Sequence, residues 1–372
     1  MAPKGTEPDE SIHSFARRRF GAEVGICEVG DNPYQGVHGL GGGHFYPSSC
    51  HCHQQVADVA VDSLCRGVFA GDCRQLSIRS CFPALFQAER TRRSVLLGLV
   101  MGEGRPGGAT SALLLRARAE RWTQWGLKGG MQTLPEAIAA FLQPRRAELL
   151  LHAELQRLQL QHNGTWQVGG TPFTITADHV ISALPAAALA RVLPPEAQPL
   201  AHELTHIPAV TVAVVNLQYR DVTLPVTGFG HLVPSSEDEA LLGIVYDSVA
   251  FPQHDGTGSP SVRLTVMLGG SWFHRSFGDP TTAPKAVLLQ RAQRAVKEQL
   301  GLVGTPVRSM VRVQQSCIPQ YTLGHWQRME RIGRLVEEQR LPLSLIGASY
   351  SGVSVNDCIA SAKAAVGRLL GG

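Results

Sequence analysis

The chain has 372 residues, enough for two or three domains at roughly 150 residues each. Hydrophobic residues make up 44% and charged residues 17%, which excludes a disordered chain and a coiled coil, and 39 Gly with 23 Pro point to a turn-rich mixed α/β chain rather than a helical bundle. A net charge of only +4 argues against a broad phosphate-binding surface, so no nucleic-acid partner is expected, and eight Cys are too few for a disulfide framework at this length.

The opening MAPKGTEPDE is polar and acidic, unlike the start of a secretory signal or of an Arg-rich transit peptide. No run of about 20 residues is continuously apolar, so no membrane-crossing helix is expected, and peripheral membrane contact stays open. In chain order, residues 7–20 read as a helix that Asp9 or Ser11 can cap. Ile12, Phe15 and Ala16 share a face, and Arg17, Arg18 and Arg19 suit the C-terminal end of the helix dipole. Residues 27–55 hold six Gly, four of the fourteen His and three of the eight Cys with no periodic pattern, and read as an unstructured insertion. Helical periodicity returns at 56–68 and around 81–97.

In WTQWGLKGGMQTLPEAIAAFL (122–142), a Gly129-Gly130 turn leads into a helix with Thr133 as cap and Pro135 and Glu136 just after it. Ala137, Ile138, Phe141 and Leu142 form its apolar face. Strands are expected at 148–152, 155–161, 166–168, 173–176 and 179–183, with His162-Asn163-Gly164 as a hairpin turn, and a helix at 185–192. Strands dominate 210–267 (VTVAVVNLQY, HLVP, LLGIVYD, VRLTVML), and 285–300 is an amphipathic helix. The chain closes with a strand (343–346), a Gly/Ser-rich turn (347–352) and a helix from about 356 to 370, an ending typical of a ligand-binding α/β layer.

Short motifs carry little chemistry. Gly102-x-Gly104-x-x-Gly107 matches a phosphate-binding pattern, but Pro106 removes an N–H and no strand precedes it, so it reads as a surface loop. Cys50-His51-Cys52-His53 invites a metal, yet its cysteines are one residue apart without a downstream pair, and Cys65, Cys73 and Cys81 fall on expected helices; no metal site is expected. Nucleophile-elbow, HExxH and Walker A sequences are absent, Glu237 and Asp238 read as a solvated loop, and Trp122 and Trp125 as core packing.

Longer runs say more. DSLCRGVFAGDCRQLSIRSCFP (62–83), NLQY (216–219), GFGHLVPSSED (228–238) and GIVYDSVAFP (243–252) closely resemble the animal protoporphyrinogen oxidases. So do LTVMLGGSW (264–272), CIPQYTLGHWQ (317–327) and GASYSGVSVNDCI (347–359). The resemblance covers almost the whole chain except 27–55. It implies a flavin amine-oxidase-like fold of mixed α/β (α+β) class, with an FAD domain, a mixed-sheet substrate domain and a helical membrane-facing domain. The matching boundaries are 1–120 (helical), 121–190 and 316–372 (FAD), and 191–315 (substrate). The implied activity is FAD-dependent, oxygen-linked oxidation of protoporphyrinogen IX to protoporphyrin IX in haem biosynthesis. The implied place is the intermembrane-space side of the mitochondrial inner membrane, with a homodimer and a ferrochelatase contact as implied partners.

By position, the resemblance gives Leu155 a backbone role at the FAD adenine side, and places Gly352, Val353, Ser354, Val355 and Asn356 against the flavin ring. Phe229, Gly230 and Leu232 match the substrate clamp, with Val245 and Met267 as apolar neighbours and Arg66 and Gly67 on the opposite wall. No acid or base is expected to be catalytic, since an apolar slot that holds the ring against the flavin does most of the work. Two departures are expected. The family's opening strand, GxGxxG turn and helix have no counterpart ahead of Met1, so the chain reads as truncated there, and 27–55 interrupts a helix pair continuous in the family. The alternative reading is a non-catalytic fragment or isoform unable to hold FAD.

Overall fold

The computed structural model describes residues 5–23, 56–92, 111–122, 126–255 and 261–371. The expected insertion, the Cys50 to His53 cluster, the Gly102 motif, Trp125 and the end of the 81–97 helix lie outside the described residues.

Helix α1 (Ile12–Glu23) begins at Ser11, whose Oγ accepts the Ser14 N–H at 3.1 Å. A π-helical turn (Val56–Val61) runs into α2 (Asp62–Phe69), followed by α3 (Ile78–Cys81) and α4 (Pro83–Arg92). Ile12, Phe15, Cys65, Phe69, Leu76 and Phe86 interlock as one helical core. The basic residues of α1 do more than meet the helix dipole: Arg18 and Arg19 both bind the buried Glu89 carboxylate, and Arg18 also binds Glu10. Burial acts to raise the Glu89 pKa, and these hydrogen bonds outweigh it, holding the carboxyl below its ordinary value.

Helices α5 (Ala112–Ala119) and α6 (Thr133–Leu142) bury no side chain. The expected apolar face of α6 is therefore open, with Ile138 and Phe141 at least half exposed. Thr133 is not its cap either: it is the first helical residue, and Gln132 before it makes no capping bond. Trp122, expected in a core, is exposed, with its indole N–H on Glu120 at 2.6 Å.

Strands β1 (Glu154–Leu160), β2 (Trp166–Thr171) and β3 (Thr174–Ala177) form an antiparallel meander, and β4 (Val180–Ser182) pairs in parallel with β10 (Leu343–Leu345). The 162–164 turn closes the first hairpin, with Gly164 at φ 82°. Residues 148–152 are irregular rather than a strand, since the chain reverses at His152 in the left-handed region (φ 56°). Around β4 and β10 pack α7 (Ala186–Val192) and α8 (Gln198–Thr205), sharing a core with Leu158, Trp166 and Ile332. The expected boundary at 190/191 falls inside α7.

The largest unit is an antiparallel sheet in the order β6-β7-β8-β5-β9. Its strands are β5 (Ala209–Tyr219), β6 (Gly230–Leu232), β7 (Leu241–Val245), β8 (Val262–Gly270) and β9 (Arg308–Pro319). Helices along this stretch include α9 (Asp247–Ala250), α10 (Phe273–Phe277) and α11 (Lys285–Leu300). Helix α11 seals one face with Leu288, Ala292, Ala295 and Val296. Helix α12 (His325–Glu338) then returns to the β4/β10 layer, where Arg331 grips Glu203 of α8 at 2.7 and 3.0 Å, and α13 (Val355–Leu369) ends the chain.

Helix α2 is joined to the sheet through Arg66, which is fully buried. Its Nε donates to the Val233 carbonyl at 2.8 Å, and its Nη2 to the carbonyls of Asp238, Glu239 and Leu241 at 2.7, 3.1 and 2.7 Å. The guanidinium also stacks 4.2 Å from the Trp272 ring centre. Asp238 is half-buried rather than solvated: it pairs with Arg291 and accepts the Ala240 and Leu241 N–H groups at 3.0 Å. Replacing Arg66 by Met keeps the apolar stem and leaves four carbonyls without this donor, those of Val233 and Leu241 buried. We expect a loss on the order of 3 kcal/mol or more, read as a lower urea midpoint at unchanged slope.

Candidate functional site

The five-stranded sheet has two different faces because its side chains alternate. Ala213, Val215, Leu217, Leu264, Val266 and Leu268 enter the core under α11, so the residues between them line the opposite face. Strand register aligns these into rows. Gly230, Val245, Thr265, Asn216 and Met310 form one; Leu232, Gly243, Met267, Val214 and Arg312 form the next. Each row is about 19 Å long at a strand spacing of about 4.8 Å.

Helix α2 covers the apolar end of this face. A Cβ on Gly67 would lie 2.6 Å from Leu232 Cδ1, so only glycine allows this approach without a shift of Leu232. Ala70 packs with Val212, Leu242, Met267 and Val214, and its carbonyl accepts the Ser271 N–H at 2.9 Å. The other end opens into a cavity of about 440 Å³, lined by Asn216, Asp247, Arg263, Thr265, Arg308 and Met310. A hydrogen-bonded chain crosses its wall: Asn216 Nδ2 donates to Thr265 Oγ1 at 2.8 Å, and Thr265 Oγ1 donates to Asp247 Oδ2 at 2.7 Å. Burial raises the Asp247 pKa, opposed by the Thr265 bond and by Arg263. Arg263 is itself held by Asp255 at 2.7 Å and by the Phe251 carbonyl at 2.6 Å.

The second part of the site is the turn before α13. Val353 packs into the helical core of α1 to α4. Ser354 caps α13 in a reciprocal box with Asp357, Ser354 Oγ accepting the Asp357 N–H at 3.1 Å. The N–H groups of Val355 and Asn356, in the first helical turn, have no partner within the helix. Gly352 has φ 129°, and a Cβ there would run into the Asp357 carboxylate. Two rings brace the turn from behind. Tyr321 Oη donates to the Ala348 carbonyl at 2.5 Å and accepts the Gly352 N–H at 2.8 Å. His325 stacks on Tyr321 at 4.1 Å between ring centres, and its Nε2 meets the Tyr350 carbonyl at 2.8 Å.

Among the residues expected to hold substrate, Gly67, Gly230, Leu232, Val245 and Met267 converge on the open face. Phe229 stands at its rim, 51% exposed, with its carbonyl on the Tyr246 N–H at 2.9 Å. Arg66 does not line a wall; its Nε and Nη2 are spent on backbone carbonyls while Nη1 is buried without a hydrogen-bond partner, because α2 turns that side toward the sheet. Gly352, Val353, Ser354, Val355 and Asn356 gather at the start of α13, whereas Leu155 lies on the edge strand β1, half-buried against the α7/α8 core. The reading from sequence missed Asn216, Thr265, Asp247 and Arg308, although the first three lie within runs that carried the resemblance.

The turn and helix start fit the ring end of a flavin: open N–H groups at a helix N-terminus favour an electron-rich ring, and a residue without a side chain permits close approach. Asp62, Asp72 and Cys73 also bring ligand atoms within 4.8 Å of one another. Asp62 is already committed to the Ser235 N–H at 2.6 Å and the Cys73 thiol, and burial pushes that thiol's pKa up, away from a metal-binding thiolate.

The sequence profile of flavin containing amine oxidoreductases matches residues 46–370. The chain belongs to this family. It is 50% identical to protoporphyrinogen oxidase of Bos taurus over 369 residues, which span 99% of this chain and 70% of that protein. The Homo sapiens protein of the same name matches with the same identity and coverage. A crystal structure from Exiguobacterium sp. 255-15 superposes with a TM-score of 0.63 at 22% identity, covering 83% of this chain and 62% of the other, and shares the fold. The mixed α/β, flavin amine-oxidase-like architecture expected from the sequence is thus the observed one, and the family makes the protein an oxidoreductase that uses a flavin.

His325 behind the turn gives a pH test. It is buried with Nδ1 unpartnered, and burial lowers its pKa to about 4. Below its ordinary value of about 6.5 the unfolded chain takes up a proton that the folded one does not, so stability falls as the pH drops from 6.5 toward 4. Between pH 7 and 5, wild type should lose about 2 kcal/mol more than His325→Gln, measured by urea denaturation.

Proposed function

We propose that the chain oxidises protoporphyrinogen IX to protoporphyrin IX, with FAD as its flavin and oxygen as the final electron acceptor. The observation that carries this reading is 50% identity, over nearly the whole chain, to two mammalian proteins named for that reaction. The same identity favours an enzyme over a non-catalytic fragment.

The chemistry asks the chain mainly to hold an apolar macrocycle flat and dry. Val245 and the uncovered sides of Leu232, Met267 and Val214 offer the flat surface, Gly230 and Gly243 keep it free of projecting side chains, and α2 borders it. Gly352, Val353, Ser354, Val355 and Asn356 would hold the flavin ring, with Leu155 toward the adenine. The bound flavin supplies the acceptor for the electrons that the macrocycle loses. The first turn of α13 would stabilise negative charge at that ring, and Phe229 at the rim would exclude water.

We place the protein at the mitochondrial inner membrane as a peripheral protein. No helix among the described residues is long and apolar enough to cross a membrane. Supporting a surface contact, α5 exposes Leu113, Leu114 and Leu115, and α6 exposes Ile138 and Phe141.

Two substitutions separate cofactor from substrate. Gly352→Ala should lower flavin content several-fold, read from visible absorbance per chain, through backbone strain and loss of the Asp357 box. Leu232→Asn should leave flavin content unchanged and raise KM for protoporphyrinogen about tenfold, roughly 1.4 kcal/mol. A purified chain with no flavin and no formation of fluorescent porphyrin would overturn the reading.

A further inference from the structure

We propose that Asp247 accepts the proton that the macrocycle gives up from a pyrrole nitrogen as it is oxidised. This rests on the porphyrinogen reading above and adds to it an acid–base residue that the apolar slot lacks.

The argument begins with place. Asp247 follows Val245 by two residues where β7 gives way to α9, so along the strand it lies just beyond the row of Gly230, Val245, Thr265 and Asn216, on the side away from Gly243 and Met267. It faces the cavity on the open side of the sheet, not the core under α11. A ring lying on Val245 and the uncovered sides of Leu232 and Met267, next to α2, therefore brings its edge to this carboxylate. Among the polar groups of a porphyrinogen core, the pyrrole N–H groups are the donors, and a carboxylate is the matching acceptor.

Hydrogen-bond direction supports the role. Thr265 Oγ1 takes a hydrogen from Asn216, so its own hydrogen points to Asp247 Oδ2. That bond holds the side chain in one rotamer and presents it as an acceptor. Besides Thr265, the donor to this carboxylate among the described residues is its own backbone N–H, which leaves acceptor capacity for a donor in the cavity. The facing charges are Arg263, His254 and Arg308 on the cavity wall, and Asp255 beside them. The Arg263–Asp255 pair at 2.7 Å offsets the nearest cation, and burial keeps the carboxyl more basic than an exposed aspartate.

The transfer balances by itself. A methylene bridge would give a hydride to the bound flavin, that C–H bond breaking with its electron pair going to the flavin, which would leave the macrocycle cationic and its N–H acidic. One N–H bond breaks with its electrons staying on nitrogen, and one O–H bond forms at Asp247. The proton then leaves through the open end of the cavity to water.

The test uses the full chain loaded with flavin, with Asp247→Asn and Thr265→Val. Asp247→Asn should bind protoporphyrin IX within about twofold of wild type by fluorescence quenching. It should oxidise protoporphyrinogen about 100-fold more slowly and lose the acidic limb of the pH–rate profile. Thr265→Val removes the donor that favours the charged form, so its acidic limb should move to higher pH. Infrared spectroscopy of the loaded protein should show a carboxylic acid band titrating with that limb in wild type, shifted in Thr265→Val and absent in Asp247→Asn. Asp247→Asn that binds the macrocycle and turns over at the wild-type rate with its limb intact overturns the proposal. So does folded Thr265→Val with an unmoved limb, the variant that decides if Asp247→Asn does not fold. A wild-type chain that takes up flavin but neither binds protoporphyrin nor oxidises its precursor overturns the porphyrinogen reading itself, and this inference with it.

Discussion

The buried guanidinium of Arg66 is the constraint on which the site depends, because it fixes a helix from one end of the chain to a sheet formed more than 160 residues later. A planar cation with its donors on backbone carbonyls in a dry environment tolerates little displacement, since any shift leaves charge and carbonyls unpaired at once. With α2 held there, Gly67 and Ala70 come down onto Leu232 and Met267, and one end of the sheet acquires an apolar lid.

The sheet supplies the rest through alternation. One face is filled by α11 with a continuous aliphatic core; the other is only partly covered, so it changes from apolar beneath α2 to polar at Asn216, Thr265 and Asp247. A ligand with an apolar body and a few donors at its edge matches that gradient. The turn before α13 is braced independently: Tyr321 and His325 satisfy its carbonyls and one of its N–H groups from behind, which leaves the start of the helix to face outward.

Much of the local structure was legible in the sequence. Lys285–Leu300 carries its helical stripe openly, the strands from 210 to 267 alternate strongly, and the last helix, expected from about 356, begins at Val355. Other elements were not. Strand β9 is as long as any in the sheet, yet over most of its length Val311 and Val313 alone point into the core under α11 between exposed Arg, Gln and Ser residues, so its pattern resembles a loop. Helix α6 shows the reverse: Ile138 and Phe141 align as a core face and then bury nothing, because no described element packs on them. Glu237-Asp238 looked like a solvated acidic loop, and Asp238 instead became part of the Arg66 and Arg291 anchor.

Sequence by itself determined the family, because long matching runs need no coordinates, and with it the identity of most side chains on the apolar wall. It also determined the glycines, since Gly67 and Gly352 stand where another residue would have to displace its neighbours. Only the tertiary structure decided which face each residue serves. Strand register set Asn216, Thr265 and Val245 in one row, although they come from three separate segments. Arg66 looked like a ligand residue in the chain and proved to be an anchor, because the direction of a long side chain is fixed by what its helix packs against.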